Sequence, residues 1–271
     1  MPELPEVEVT RRGIAPALIN NCISHFVVRF PRLRTPISPE FSTLRNLRVL
    51  SVDRRGKYII IRTDQGSVLI HLGMSGHLHL VPPETPVIKH DHVDIVIAGG
   101  QIIRFNDQRR FGLFEWFAEG QDPYKDPKLA RLGPEPLDEN FTGAVLYERI
   151  HHFKAPVKKI LMDNEVVVGV GNIYASEVLF ASRVSPLRRS CDITEKECEV
   201  LVRNIQRILN ASIGRGGTTI HDFSGSDGSP GQYVNELKVY GRKGLPCCIC
   251  GTPLEHAVIG RSTYYCPECQ S

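Results

Sequence analysis

The first eight residues, MPELPEVE, crowd two prolines and three glutamates behind Met1. Removal of Met1 would expose Pro2, whose nitrogen is then a secondary amine. An α-amino group has a pKa of about 7.7 to 8.0, so a neutral, nucleophilic fraction exists near pH 7 without special tuning. Glu3 and Glu6 beside it are carboxylates able to move protons at a reacting centre. Pro5 suits the first position of a helix, and Glu6 in the first turn would meet the positive end of the helix dipole. The terminus is therefore expected to be docked rather than frayed. It has neither the basic start nor the apolar core of a secretory signal.

A second set of reactive side chains lies at the other end. Of the eight cysteines, four read C-x2-C-x15-C-x2-C: Cys247, Cys250, Cys266 and Cys269. This spacing favours a zinc ribbon over disulfides, and four thiolates close the tetrahedral shell, so one structural Zn2+ is expected to fold a hairpin and perform no chemistry. Cys22, Cys191, Cys198 and Cys248 are left as thiols. Arg261 falls where the hairpin tip would be, suited to a phosphate or simply solvated. Cysteines without a signal peptide point to a reducing compartment.

Weaker signals lie between. In VVVGVGNIYASE, Asn172 reads as the N-cap of a helix starting near Ile173, and the Gly-x-Gly turn is either a phosphate cradle or an ordinary turn. Met74 in HLGMSG and Arg109, Arg110 and Phe111 in NDQRRFG end strand-like runs; they are turn residues with buried apolar groups, or wedges that enter a duplex. Lys57 after Arg54-Arg55-Gly56 carries no signal by itself.

The elements that must position these residues divide the chain. From Ser24 to Ala118, runs of Val and Ile (SHFVVRF, NLRVLSV, KYIIIRT, SVLIHL, HVDIVI, QIIRF) punctuated by Gly turns predict a β-sandwich. LGPEPLDEN, residues 132–140, reads as a linker. Beyond it helices are expected over 143–153, 157–164 and 173–182. A further helix is announced by Thr194 and Glu197 at capping-box spacing, with Cys198, Leu201, Val202, Ile205, Ile208 and Leu209 as one apolar stripe ending at Gly214. The Gly- and Ser-rich segment 214–232 is a functional loop or a linker. The 271 residues carry a net charge of +3 with a pI near 8.4. The whole-chain charge decides little, but nine basic residues against Glu40 and Asp53 between Arg29 and Arg62 would suit a phosphate backbone. No run approaches a membrane span.

Taken in order, MPELPEVE, RRGKY (54–58), HLGMSG (71–76), RRFG (109–112), LGPEPL (132–137), LMDN with VGVGNIYASE (161–177), ELKVYGRKG (236–244) and the terminal cysteines resemble bacterial formamidopyrimidine-DNA glycosylase from end to end. The resemblance implies an α+β chain: an N-terminal β-sandwich catalytic domain with an N-terminal helix (1–131), the linker, a helical helix-two-turn-helix DNA-binding domain (141–235), and a zinc finger with a β-hairpin (236–271), gripping DNA in the cleft between the domains. It implies excision of oxidised purines (8-oxoguanine and formamidopyrimidines) from double-stranded DNA, followed by β,δ-elimination at the abasic site.

The roles implied are Pro2 as nucleophile, Glu3 as acid/base, Glu6 as supporting carboxylate and Lys57 as catalytic-site lysine. Met74, Arg109 and Phe111 would fill the gap left by the base, His90, Lys154, Asn172 and Arg261 would contact DNA, and 214–232 would be a lid over the everted base. A bacterial cytoplasmic, nucleoid-associated monomer without an organic cofactor is implied. The family has proline before the paired arginines, where this chain has Gln108. The sister endonuclease VIII type shares Pro2, Glu3 and Lys57 but prefers oxidised pyrimidines, and Leu4 replaces the glycine found there. A non-enzymatic zinc-ribbon DNA-binding protein would explain the tail and the basic stretch, but not the terminus.

Overall fold

The computed structural model describes residues 2–220 and 223–271 and divides them into two compact units, one of residues 1–130 with 215–234 and one of 131–214 with 235–271. Met1, whose removal the sequence reading requires, lies outside the described residues, as do His221 and Asp222 of the Gly-rich loop. Among the described residues no helix is long and apolar enough to cross a membrane.

The first unit opens with helix α1 (Leu4–Leu18), whose buried face includes Leu4, Val7, Ile14 and Leu18. Eight antiparallel strands follow: β1 (Cys22–Val28), β2 (Arg45–Arg55), β3 (Tyr58–Thr63), β4 (Gly66–His71), β5 (Gly76–Val81), β6 (Asp91–Ile97), β7 (Ile102–Asp107) and β8 (Leu113–Ala118). They pair in the order β5-β7-β6-β1-β2-β3-β4-β8. Phe105 of β7 and Phe114 of β8 stand near opposite ends of this ladder, yet their rings are 6.1 Å apart, so the ladder folds over on itself as the expected sandwich. Phe26 and Phe41 join them in one core with Ile59, Ile61, Val68 and Ile70. Strands β5 and β8 were not separately legible, because His77 and His79 interrupt one and Glu115 and Trp116 the other.

The second unit holds α3 (Gly143–Ile150), α4 (Val157–Leu161), α5 (Asn172–Ala181) and α6 (Glu195–Gly214), the short α2 (Pro127–Ala130) closing the first unit. Thr194 and Glu197 form the reciprocal capping box: the Thr194 amide donates to the Glu197 carboxylate (2.8 Å) and the Glu197 amide to the Thr194 hydroxyl (3.3 Å). All six stripe residues of α6 are buried. The chain ends in the hairpin β9 (Glu255–Ile259) and β10 (Arg261–Tyr265), which packs through Leu254 and Cys266 on Phe180 and Val239. The 215–234 segment groups with the first unit, although it directly follows α6, because its hydrogen bonds run to α1 and β5.

Candidate functional site

Glu3 is the N-cap of α1, Leu4 its first helical residue and Pro5 its second. The Glu3 amide donates to Glu6 Oε2 (2.8 Å), while the Glu3 carboxylate accepts from the Glu6 amide, a capping box made of two acids. Both side chains are almost wholly buried, at 2 % exposure, and Pro2 is buried before them. Glu6 Oε1 accepts the amide of Thr218 (2.8 Å), so this carboxylate fastens the Gly-rich segment to the start of the chain. Burying two carboxylates is costly unless they are hydrogen-bonded, and here the backbone supplies the donors.

Lys57 occupies the turn between β2 and β3 and is nearly buried. Glu8 ties that turn to α1: its carboxylate accepts from Arg11 (2.8 Å), Arg12 (2.7 Å) and Arg54 (3.2 Å), and Arg54 also donates to the carbonyl of Gly56 (2.9 Å). Burial opposes ionisation of Glu8, but the hydrogen bonds from Arg11 and Arg12 and the charges of Arg11 and Arg54 outweigh it and hold the carboxyl down at about 2. His71, on β4, is pushed down to about 4 by burial first and then by the charges of Lys57 and Arg34. Its neutral ring accepts the Gly73 amide through Nδ1 (2.9 Å).

The two loops expected to act as wedges are fastened to each other. Asp107, fully buried, accepts the Ser75 hydroxyl (2.7 Å) and the Gly112 amide (2.8 Å), and the Ser75 oxygen accepts the Arg109 amide (2.9 Å). Gly73, at φ +66°, has no room for a Cβ beside the backbone of Phe111 and Gly112. Arg110 takes a left-handed φ of 57° and lays its guanidinium 4.0 Å from the Phe30 ring. Met74 is half-buried, while Arg109 and Phe111 are exposed, Phe111 by 45 %, with the Arg109 guanidinium 5.2 Å from its ring. His90, also at positive φ, accepts the Asp107 amide through its carbonyl (3.1 Å).

In the second unit the N-cap of α5 is Gly171, and Asn172 is its first helical residue, contrary to the capping role read from the sequence. Its side chain is committed elsewhere. Oδ1 accepts from Lys158 Nζ (2.7 Å), and Nδ2 donates to the Tyr240 hydroxyl at a long 3.4 Å. Lys158 is fully buried and also donates to the Ser262 carbonyl (2.9 Å) and Thr263 Oγ1 (2.8 Å), locking helix α4, the Asn172 turn and strand β10 together. An amide nitrogen has two hydrogens, so with Oδ1 given to the ammonium, Nδ2 is the end that keeps a donor for an anion. Lys154 is exposed, and Arg261 is exposed beside Gly260 at the hairpin tip.

Cys247, Cys250, Cys266 and Cys269 bring their sulfurs within 4.8 Å of one another. The pairs Cys247 with Cys269 (3.9 Å) and Cys250 with Cys266 (3.5 Å) match the edge of about 3.8 Å that a tetrahedron with Zn–S bonds of about 2.3 Å requires, so the donor set fits structural zinc. Of the other thiols, Cys198 is buried in α6, and burial pushes it up to about 12; Cys22 and Cys191 are partly accessible and Cys248 is exposed. Sequence reasoning did not find Ser75, Asp107, Lys158 or the partner of Glu6 at Thr218. The first three look like ordinary surface or core residues until long-range contacts are known.

Three family models cover the chain: the formamidopyrimidine-DNA glycosylase N-terminal domain over residues 1–114, the H2TH domain of the same enzyme over 132–224, and a zinc finger found in FPG and IleRS over 244–271. A formamidopyrimidine-DNA glycosylase of Enterobacter sp. (strain 638) is 51 % identical over 273 residues, covering all of both chains. Among solved structures, a Lactococcus lactis FPG mutant in complex with Fapy-dG containing DNA superposes with a TM-score of 0.90 at 32 % identity over 100 % of each chain. The Lactococcus lactis Fpg with an abasic site containing DNA superposes with a TM-score of 0.90 at 31 % identity over 99 % of each.

Proposed function

The chain belongs to the formamidopyrimidine-DNA glycosylase family, and we propose that it removes oxidised purines from duplex DNA through Pro2 and then cleaves the strand at the resulting abasic site. The observation that supports this most is the buried terminus, where Pro2 precedes two hydrogen-bonded acids that a frayed end would never bury. With Met1 removed, the Pro2 nitrogen attacks C1′ of the damaged nucleotide. A bond from nitrogen to C1′ forms, the glycosidic bond breaks, and the base leaves with a proton.

Opening of the sugar ring gives an iminium. Because the amine is secondary, this iminium has no nitrogen proton to lose and stays cationic, an electron sink for the successive loss of a C2′ proton with the 3′ phosphate and then of a C4′ proton with the 5′ phosphate. Glu3 moves the protons at the sugar. Glu6, with its oxygens held by two backbone amides, keeps Glu3 and the Thr218 segment in place. Lys57 supplies positive charge beside the reacting phosphates. Met74, Arg109 and Phe111 offset the cost of extruding the base, a few kcal/mol, and 214–232 covers it. His90, Lys154, Asn172 and Arg261 hold the DNA backbone. Bound zinc folds the hairpin that carries Arg261. The enzyme works as a monomer in the bacterial cytoplasm, at the nucleoid.

Borohydride trapping on protein of known intact mass tests this reading. Chains beginning at Pro2 should give an adduct with duplexes bearing oxidised purines in preference to oxidised pyrimidines. Chains with a residue fixed before Pro2 should give none, because a tertiary amide nitrogen is not nucleophilic, yet still bind an abasic-analogue duplex. An adduct from protein that fully retains Met1 would transfer the nucleophile's role to another amine, Lys57 first. Preference for oxidised pyrimidines would point to the endonuclease VIII type.

A further inference from the structure

Helix α1 carries a glycine, Gly13, in its interior, where glycine is a poor helix former. A Cβ there would fall on the Ser226 hydroxyl and 2.9 Å from the Ser226 Cβ. Directly beside it, edge strand β5 receives the same segment: the Leu80 amide donates to the Ser226 carbonyl (2.8 Å), and His79 Nε2 hydrogen-bonds Ser224 Oγ (2.7 Å). Further along, Gly217 approaches Glu6 closely, and Thr218 donates to it. Within the segment, Thr219 Oγ1 donates to the Phe223 carbonyl and accepts the Gly231 amide, both at 2.8 Å, which links the Glu6 end to the β5 end.

We propose that Gly13 and His79 are positioning residues that form a seat for residues 217–219 and 223–226, and that the seat governs base release by holding this segment over the everted base, which a preformed abasic site lacks. The proposal rests on the reading that Glu6 supports the reacting centre and that this segment covers the everted base. A helix with any larger residue at position 13 would exclude Ser226, and the segment would lose its place on α1 and β5 together. Burial, and then His77 with its ring 4.4 Å away, hold His79 at about 4 against the opposing charges of Asp91 and Asp227, so at neutral pH the ring meets Ser224 uncharged.

The test compares Gly13→Ala and His79→Ala with the parent chain in single-turnover release of an oxidised purine, in cleavage of a preformed abasic site, and in Tm. Alanine is the better helix former, so Gly13→Ala should keep or raise the Tm while base release falls about tenfold and abasic-site cleavage changes by less than about twofold. His79→Ala, which loses one hydrogen bond, should lose about fivefold in base release. Adding Ser226→Gly to Gly13→Ala should restore base release, since it removes the atoms the new Cβ meets. Equal losses on both substrates, or no loss on either in both variants, would overturn the seat. A parent chain that released no oxidised purine at all would defeat the functional reading itself, and the seat with it.

Discussion

The start of the chain and the tips of its loops are built on opposite plans. At the start, the polar groups are buried and already engaged: Glu3 and Glu6 cap each other, and Glu8 gathers three arginines. At the tips, Arg109, Phe111, Lys154 and Arg261 are exposed, and the buried partners lie one layer beneath them, in Asp107, Ser75 and Lys158. Chemistry at a sugar carbon needs groups fixed before the substrate arrives, which burial and backbone hydrogen bonds provide. Binding a phosphate backbone or filling a gap in a base stack needs groups that reach solvent, and only their stems must be held.

The comparison breaks most visibly if a tip is removed by unfolding what carries it. Cys266→Ala takes away one of four zinc ligands and with it the hairpin bearing Arg261, so affinity for an abasic-analogue duplex should fall about a hundredfold, while metal analysis shows zinc lost. Retained zinc with unchanged affinity would mean that the hairpin is no binding element.

A smaller effect sharpens the contrast. Phe111→Ala should lose about tenfold to a hundredfold on an oxidised base in duplex DNA and only about threefold on a preformed abasic site, since the proposed role gives the ring a part in extrusion and none in bond breaking. Parallel losses in the two kinetic assays would place Phe111 with the reacting groups.

The smallest effect concerns pH. His71 is held at about 4 in the folded chain against about 6.5 when unfolded. The unfolded chain therefore binds more protons between these values, and the stability that neutral His71 contributes above pH 6.5 is lost as the pH falls toward 4. The drop in Tm from pH 7 to pH 5 should be shallower in His71→Asn than in the parent chain; an identical drop would assign the acid sensitivity elsewhere.

What the sequence made legible follows the same division. Local signals were readable: Val and Ile runs for six of the eight strands, the Thr194 and Glu197 capping box, the zinc spacing, and the proline and acids that start α1. The supports were not, because each joins residues far apart in the chain. Lys158 reaches Thr263 across 105 positions, and Glu6 reaches Thr218 across 212. Asn172 shows how a local rule fails: its composition fits a cap, but a buried ammonium competes for the same oxygen and wins, since a charge-assisted bond is about twice as strong as a neutral one.

The first unit is discontinuous in the chain, for its last piece, 215–234, is made only after the whole of 131–214. During synthesis at roughly 5 to 20 residues per second, those intervening residues delay its completion by several seconds or more. A nascent chain at that stage already has α1, Lys57 and the loops bearing Met74 and Phe111, but neither Thr218 to brace Glu6 nor Ser226 to lie on Gly13. The order of translation thus makes the buried start of α1 the earliest part to be synthesised and among the last to be finished.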